Sequence, residues 1–244
     1  MAAASTGPES DDTSAAGHHA QRSRQRPHRQ VVELVGLSVA LAALATVIVG
    51  LLPNIDNSLR PSELWAVLAI GVGFGASLLT VVRIEFRENA VLFSLSEIPL
   101  VFAIVFLDPV AGMLSRLVAS GLVFALVKRP PAHKQLFNLA LFAFETSVAY
   151  LVIRSVAVPD PNSDPQVVLA ATLAVILAGG FGSVAVAIAV SRLVGDTLRR
   201  IVDDLRAAWV LVVNGATAGA LLTLYLLSPL FAALAAIPIV ALWY

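Results

Sequence analysis

Three successive apolar runs of this chain each carry one charged residue in their interior: Glu97, Arg116 and Glu145. All three fall in the stretch 93–145, FSLSEIPLVFAIVFLDPVAGMLSRLVASGLVFALVKRPPAHKQLFNLALFAFE. An ion at the centre of an apolar membrane helix costs about 2.5–3.5 kcal/mol on insertion scales, so such residues face a partner or a cavity. Counted from the basic loops, Glu97 lies ~10 Å deep, Arg116 ~16 Å and Glu145 ~15 Å, at 1.5 Å per helical residue. Arg116 and Glu145 thus share a depth, and Glu97 is within reach of a long arginine about one turn nearer the loop side. Ser94 and Ser96 flank Glu97 and can bond nearby backbone groups. Pro99 removes a backbone donor and frees the carbonyl of Leu95. Asn138 precedes Glu145 by two turns on a similar face. A polar cluster of Glu97, Arg116, Glu145, Asn138, Ser94 and Ser96 is expected. It serves either as an ionic staple between helices or as the lining of a ligand or ion pocket, and the two roles are compatible.

Other chemistries find no support. The chain has no cysteine, which excludes disulfides, thiolate metal sites and cysteine catalysis. Its four histidines are His18, His19, His28 and His133, and none shares an apolar run with an acid and a nucleophile. A Ser-His-Asp triad and a two-histidine metal site within the membrane therefore have no geometric basis. No enzyme activity, metal or cofactor is expected. The net charge is zero, so there is no electrostatic footprint for nucleic acid.

The elements that position the cluster are long apolar runs. Of 244 residues 58% are hydrophobic and 13% charged, against roughly half and a quarter in soluble domains. Eight runs read as candidate spans: 31–53, 64–82, 90–107, 110–127, 135–153, 167–190, 207–227 and 230–244. The last has ~15 residues, short of the ~20 that a bilayer asks for. The loops after even runs carry Arg83 and Arg87; Lys128, Arg129 and Lys134; and Arg192, Arg199, Arg200 and Arg206. Those after odd runs carry Arg60, none at Asp108-Pro109, Arg154, and none at Ser228-Pro229. The positive-inside rule then places both termini in the cytoplasm. The expected fold is an all-α polytopic bundle in the inner (cytoplasmic) cell membrane, with the lipid bilayer as its first partner.

Residues 1–30 read as a disordered tail, with Arg22, Arg24, Arg26 and Arg29 just ahead of the first run. The loop 159–165, PDPNSDP, is rich in breakers and lacks EF-hand spacing. The stretch 192–206, RLVGDTLRRIVDDLR, spaces its apolar residues for an amphipathic helix on the inner membrane face. Glycines punctuate the second, sixth and seventh runs at 71–75, 179–182 and 215–219, a spacing that lets helix backbones approach closely in lipid. None of them forms a phosphate loop, since the Lys-Ser/Thr continuation is missing.

FSLSEIPLVFAIVF, then P-x-x-G-x-L-x-R-L from Pro109, then K-x-x-F-N-L-A-L-F-A-x-E from Lys134, together invite comparison. This set resembles the N-terminal multispan membrane region of bacterial signalling proteins that carry GAF, GGDEF, EAL or HD-type output domains. Glu97, Arg116, Lys134, Asn138 and Glu145 match that pattern. The resemblance implies a membrane sensor region feeding a cytoplasmic output, and GGDEF and EAL domains make and degrade cyclic di-GMP. The chain departs from the pattern at Trp243-Tyr244, where such proteins pass into the output domain, and nothing of GGDEF or EAL character is present. Any enzymatic output is expected outside this chain, in a cytoplasmic domain or partner protein. The leading expectation is thus a sensory input domain, with a homodimer as one way to signal. A solute-binding transport component is the alternative, and a structural membrane scaffold a second.

Overall fold

The computed structural model describes residues 12–52, 64–80, 82–86, 89–93, 95–156, 165–194 and 208–241, with side chains over most of these. The loop 159–164, Ser94, and all but 192–194 of the expected amphipathic stretch 192–206 lie outside the described residues. Each expected apolar run corresponds to a helix. These are α1 (Asp12–Leu51), α2 (Leu64–Leu79), α3 (Glu97–Phe106), α4 (Pro109–Val123), α5 (Ala132–Val156), α6 (Pro165–Val194), α7 (Ala208–Leu227) and α8 (Pro229–Ala241). Among the described residues, five stretches are long and apolar enough to cross a bilayer: Gln30–Leu51, Pro109–Lys128, Ala132–Val156, Pro165–Ser191 and Val210–Leu227. α2 with 16 residues and α3 with 10 are shorter. They measure about 24 and 15 Å against a hydrocarbon core of about 30 Å.

The helical backbone of α1 starts at Asp12, ahead of the first apolar run, and takes in Gly17 and Pro27, which propensity disfavours inside a helix. One expectation is corrected. The run 90–107 is not one helix. Its first residues pair as strand β2 (Asn89–Phe93), antiparallel to β1 (Val82–Phe86), with Val82 opposite Phe93 and Phe86 opposite Asn89. The segment VRIEF alternates apolar and polar residues at period two, which suits a strand and not a helix face. Apart from this hairpin, every described regular element is helical.

α3 begins only after Leu95 and Ser96. Glu97 in its first turn suits the positive end of the helix dipole. Pro99 is the third helical residue, where the missing N–H has no partner to lose. The carbonyl of Leu95 is not left free, because Ile98 N–H donates to it at 3.1 Å. Asp108-Pro109 then turns the chain, with Asp108 at the N-cap of α4 and Pro109 at its first position.

Although it is the shortest helix, α3 is the hub. It packs against α2, α4, α5, α6 and α7. Pro99, Leu100, Val101, Ala103, Ile104 and Val105 are all buried, as an all-round apolar helix requires. α1 flanks the outside, its buried Leu34, Ser38, Leu41 and Ala45 at three- and four-residue steps, with α5 its main neighbour.

Contacts also fix relative directions. Asp108 meets Arg154 while Arg116 meets Glu145, so α4 and α5 are antiparallel. Glu97 meets Asn214 while Phe106 meets Tyr225, so α3 and α7 are parallel. Gly71 lies by Ser115 and Gly75 by Val123, so α2 and α4 are parallel. Gly179 lies by Leu211 and Gly219 by Thr172, so α6 and α7 are antiparallel.

Candidate functional site

Arg116 sits in the middle of α4 and is 2% exposed. Its Nη2 donates to Glu145 Oε2 of α5 at 2.7 Å. Its Nη1 donates to Thr146 Oγ1 at 3.0 Å and to the Phe142 carbonyl at 3.3 Å. Thr146 in turn donates to the same carbonyl at 2.7 Å. The guanidinium carbon lies 4.6 Å from the Phe142 ring centroid and 5.5 Å from that of Phe74 on α2. Arginine suits this place because its planar fork can bond along its edge and stack through its face. An ammonium could satisfy neither ring so well.

Glu145 continues the cluster into α6. A Cβ placed on Gly182 would collide with Glu145 Oε1, so the carboxylate occupies space that glycine alone leaves open. Here close approach requires the glycine, in a segment whose sequence suggests only helix packing. Glu97, half-buried at the start of α3, closes the cluster from the other side. Asn214 Nδ2 of α7 donates to its Oε2 at 3.4 Å, and Asn214 is 5% exposed. Glu97 is within Coulombic range of Glu145 and Arg116. Among the described residues no ion pair joins Glu97 to Arg116. With Phe74 of α2 included, the site therefore draws on α2, α3, α4, α5, α6 and α7 at once.

The sequence-predicted residues divide cleanly. Arg116 and Glu145 pair as their shared depth suggests, and Glu97 joins them. Asn138 is half-buried and makes no hydrogen bond to the three. It shares a helix face with Glu145 but is about 10 Å away along the axis, at 1.5 Å per residue. Ser96 occupies the N-cap position of α3 without a side-chain capping bond. Ser94 lies outside the described residues. Asn214, Thr146, Phe142, Phe74 and Gly182 were not anticipated. Asn214 had a signal of its own, as a lone amide inside the apolar run 207–227. Thr146 had the weaker signal of standing next to a buried acid.

A second polar anchor lies one turn outward. Tyr150 on α5 is fully buried, and its hydroxyl donates to the Ala103 carbonyl at 2.8 Å. It is also 3.1 and 3.3 Å from the carbonyl oxygens of Leu107 and Asp108. The Ala103 and Asp108 carbonyls already accept the N–H groups of Leu107 and Gly112, so the hydroxyl adds a further donor where α3 ends and α4 begins. A Cβ on Gly112 of α4 would clash with that hydroxyl. Asp108 and Arg154 approach to 3.9 Å just beyond, and both are part-exposed. On the far flank, Tyr225 of α7 packs edge-on against Phe102 and Phe106 of α3, at 5.4 and 5.5 Å between centroids. α3 is thus pinned at its start by Glu97–Asn214 and at its end by Tyr150 and Tyr225.

Compared with known proteins, the chain matches no family model, no curated protein and no solved structure. The likeness to signalling membrane regions therefore rests on the residues quoted for it alone. What the arrangement offers chemically is charge recognition. Among the described residues no group of three or more His, Asp or Glu side chains is placed to hold a metal ion.

Proposed function

We propose that this chain is a membrane-embedded input module of a signalling system, in which the state of the Glu97–Arg116–Glu145–Asn214 cluster sets the packing of α3 against α7. The observation that carries this reading is the position of the cluster. It sits where five helices converge on the shortest and most buried one, so a change of charge or occupancy there is felt by every neighbour. α7 leads directly through Ser228-Pro229 into α8, which gives the change a route toward the end of the chain. Within this reading the bundle has eight passes with both termini cytoplasmic. The loop charges and the alternating helix directions both support that arrangement. The output lies in a partner protein or a further domain, and a second copy of the chain is one such partner.

One observation favours a transport component instead. α3 is about half the length of a span and starts at the polar cluster. Transporters often build midplane sites from discontinuous helices of this kind. Reconstitution separates the two. In proteoliposomes with a trapped pH-sensitive dye, an input module leaves the vesicles tight, and Glu97→Gln changes nothing in the leak. Proton or solute flux that is lost in Glu97→Gln would overturn the input reading in favour of transport.

A further inference from the structure

Charge does not balance in the cluster. Two carboxylates, Glu97 and Glu145, face one guanidinium, Arg116. Among the described residues the other elements packed on α3 supply no compensating ion. On α5, His133 and Lys134 stand in the first turn, roughly 16–18 Å before Glu145 at 1.5 Å per residue, and Arg154 meets Asp108. α2 has no ionisable side chain, and neither does α6 over 165–191. α7 offers the neutral amide of Asn214, and its Tyr225 lies at the opposite end of α3 against Phe102 and Phe106. With both acids ionised the site would hold a net negative charge in a region where an uncompensated ion is expensive.

The geometry shows which acid is left over. Arg116 is already engaged by Glu145 at 2.7 Å, by Thr146 and the Phe142 carbonyl, and by the rings of Phe142 and Phe74. Glu97 receives a backbone hydrogen bond from its own residue, a long amide contact of 3.4 Å from Asn214, and no ion pair among the described residues. It is half-buried, and the residues just before it, Leu95 and Ser96, are half-buried as well. Glu145 is half-buried too, so what separates the two acids is the ion pair, which Glu145 has and Glu97 lacks among the described residues.

We propose that Glu97 is a proton-binding site, exchanging one proton with water while the Arg116–Glu145 pair stays ionised. The step is a simple one: a carboxylate oxygen of Glu97 takes a proton from hydronium or water, and the cluster becomes neutral. The protonated carboxyl keeps an acceptor oxygen for the Asn214 amide and gains a donor. A proton fits better than a metal cation, because it needs one oxygen and the described residues offer no multi-carboxylate cage. This assignment rests on the reading of the cluster as the responsive site, and it names the ligand.

Infrared difference spectroscopy of the full chain in lipid nanodiscs, between alkaline and acid buffer, tests it. The expected result is a protonated-carboxyl C=O band that shifts in D2O, is lost in Glu97→Gln, and persists at an altered frequency in Glu97→Asp. Size-exclusion profiles and thermal unfolding check that each variant is folded, and Glu97→Asp alone decides the matter if Glu97→Gln does not fold. The proposal is overturned by a band that survives in Glu97→Gln, by loss of the band in a folded Glu97→Asp, or by the absence of any such band in the parent chain. It is equally overturned if the band is absent and sodium, not acid, raises the thermal stability of the parent but not of Glu97→Gln. The band reports occupancy and is blind to helix motion. It therefore stands or falls separately from the coupling of the cluster to α7.

Discussion

Replacing Arg116 by leucine leaves Glu145 inside the bundle without its guanidinium. Breaking a buried ion pair from one side costs about 3–5 kcal/mol in soluble proteins. Measured interhelical hydrogen bonds in lipid are weaker, averaging about 0.6 kcal/mol, so the lower end of that range applies here. The reverse change, Glu145→Leu, is expected to cost less. Arg116 would keep Thr146 Oγ1 at 3.0 Å, the Phe142 carbonyl at 3.3 Å and two flanking rings. Such cation–π contacts contribute about 0.5–2 kcal/mol each, and they remain after the carboxylate is gone. The structure thus predicts an asymmetry, with Arg116→Leu the more damaging single variant by about 1–2 kcal/mol. The double variant leaves no partnerless ion at this pair and should recover part of the loss. Equilibrium unfolding in mixed detergent micelles measures all four proteins of the cycle. Single-variant losses that add to within about 0.5 kcal/mol in the double variant would mean that the two side chains are not coupled, and would refute the pairing. Equal single-variant losses would refute the role given to Phe74, Phe142 and Thr146.

Two further outcomes follow from the packing and the topology. Gly112→Ala drives a methyl group into the Tyr150 hydroxyl, and overpacking of this kind costs about 1–3 kcal/mol. Tyr150→Phe loses the one proton that the hydroxyl shares among the Ala103, Leu107 and Asp108 carbonyls, about 0.5–1.5 kcal/mol; a neutral Gly112→Ala in thermal unfolding would show that α4 and α5 do not meet as described. A single cysteine at Ser163 should react with an impermeant reagent on intact cells, one at Ala132 should react only in inside-out vesicles, and a reporter after Tyr244 should read as cytoplasmic. An external signal at Tyr244 would mean an odd number of passes.

The helical, apolar character of the chain and the central ion pair were legible because each follows from local quantities. Apolar length marks a span, and residue counts from charged loops give depth. Depth alone paired Arg116 with Glu145. It could not name Asn214, because the neighbour of Glu97 depends on how helices are arranged around the bundle, and loop charges carry only up and down. Asn138 failed for the opposite reason: it has the right face of α5 at the wrong height. The hairpin 82–93 was hidden because AVLF, being apolar, merged with the following helix in a length-based reading. The alternation in VRIEF was the signal that distinguishes it. The five-residue π-helical turn Phe124–Lys128, which ends on Arg129 in the left-handed region at φ 42°, has no signature in composition or periodicity.

The central claim is that the polar cluster controls the packing of the helices around α3. The chain has no cysteine, so a pair of spin labels can be placed without background. Val212 on α7 and Leu126 beyond α4 are 52% and 66% exposed, so labels there leave the core intact. Pulsed electron paramagnetic resonance in lipid nanodiscs would give the distance between Val212→Cys and Leu126→Cys, with and without Glu97→Gln. The account predicts that the distance distribution shifts when Glu97 is neutralised by substitution, and that acid buffer moves the parent chain in the same direction. Distributions that superimpose across the parent in alkaline buffer, the parent in acid buffer and the folded Glu97→Gln variant would contradict it.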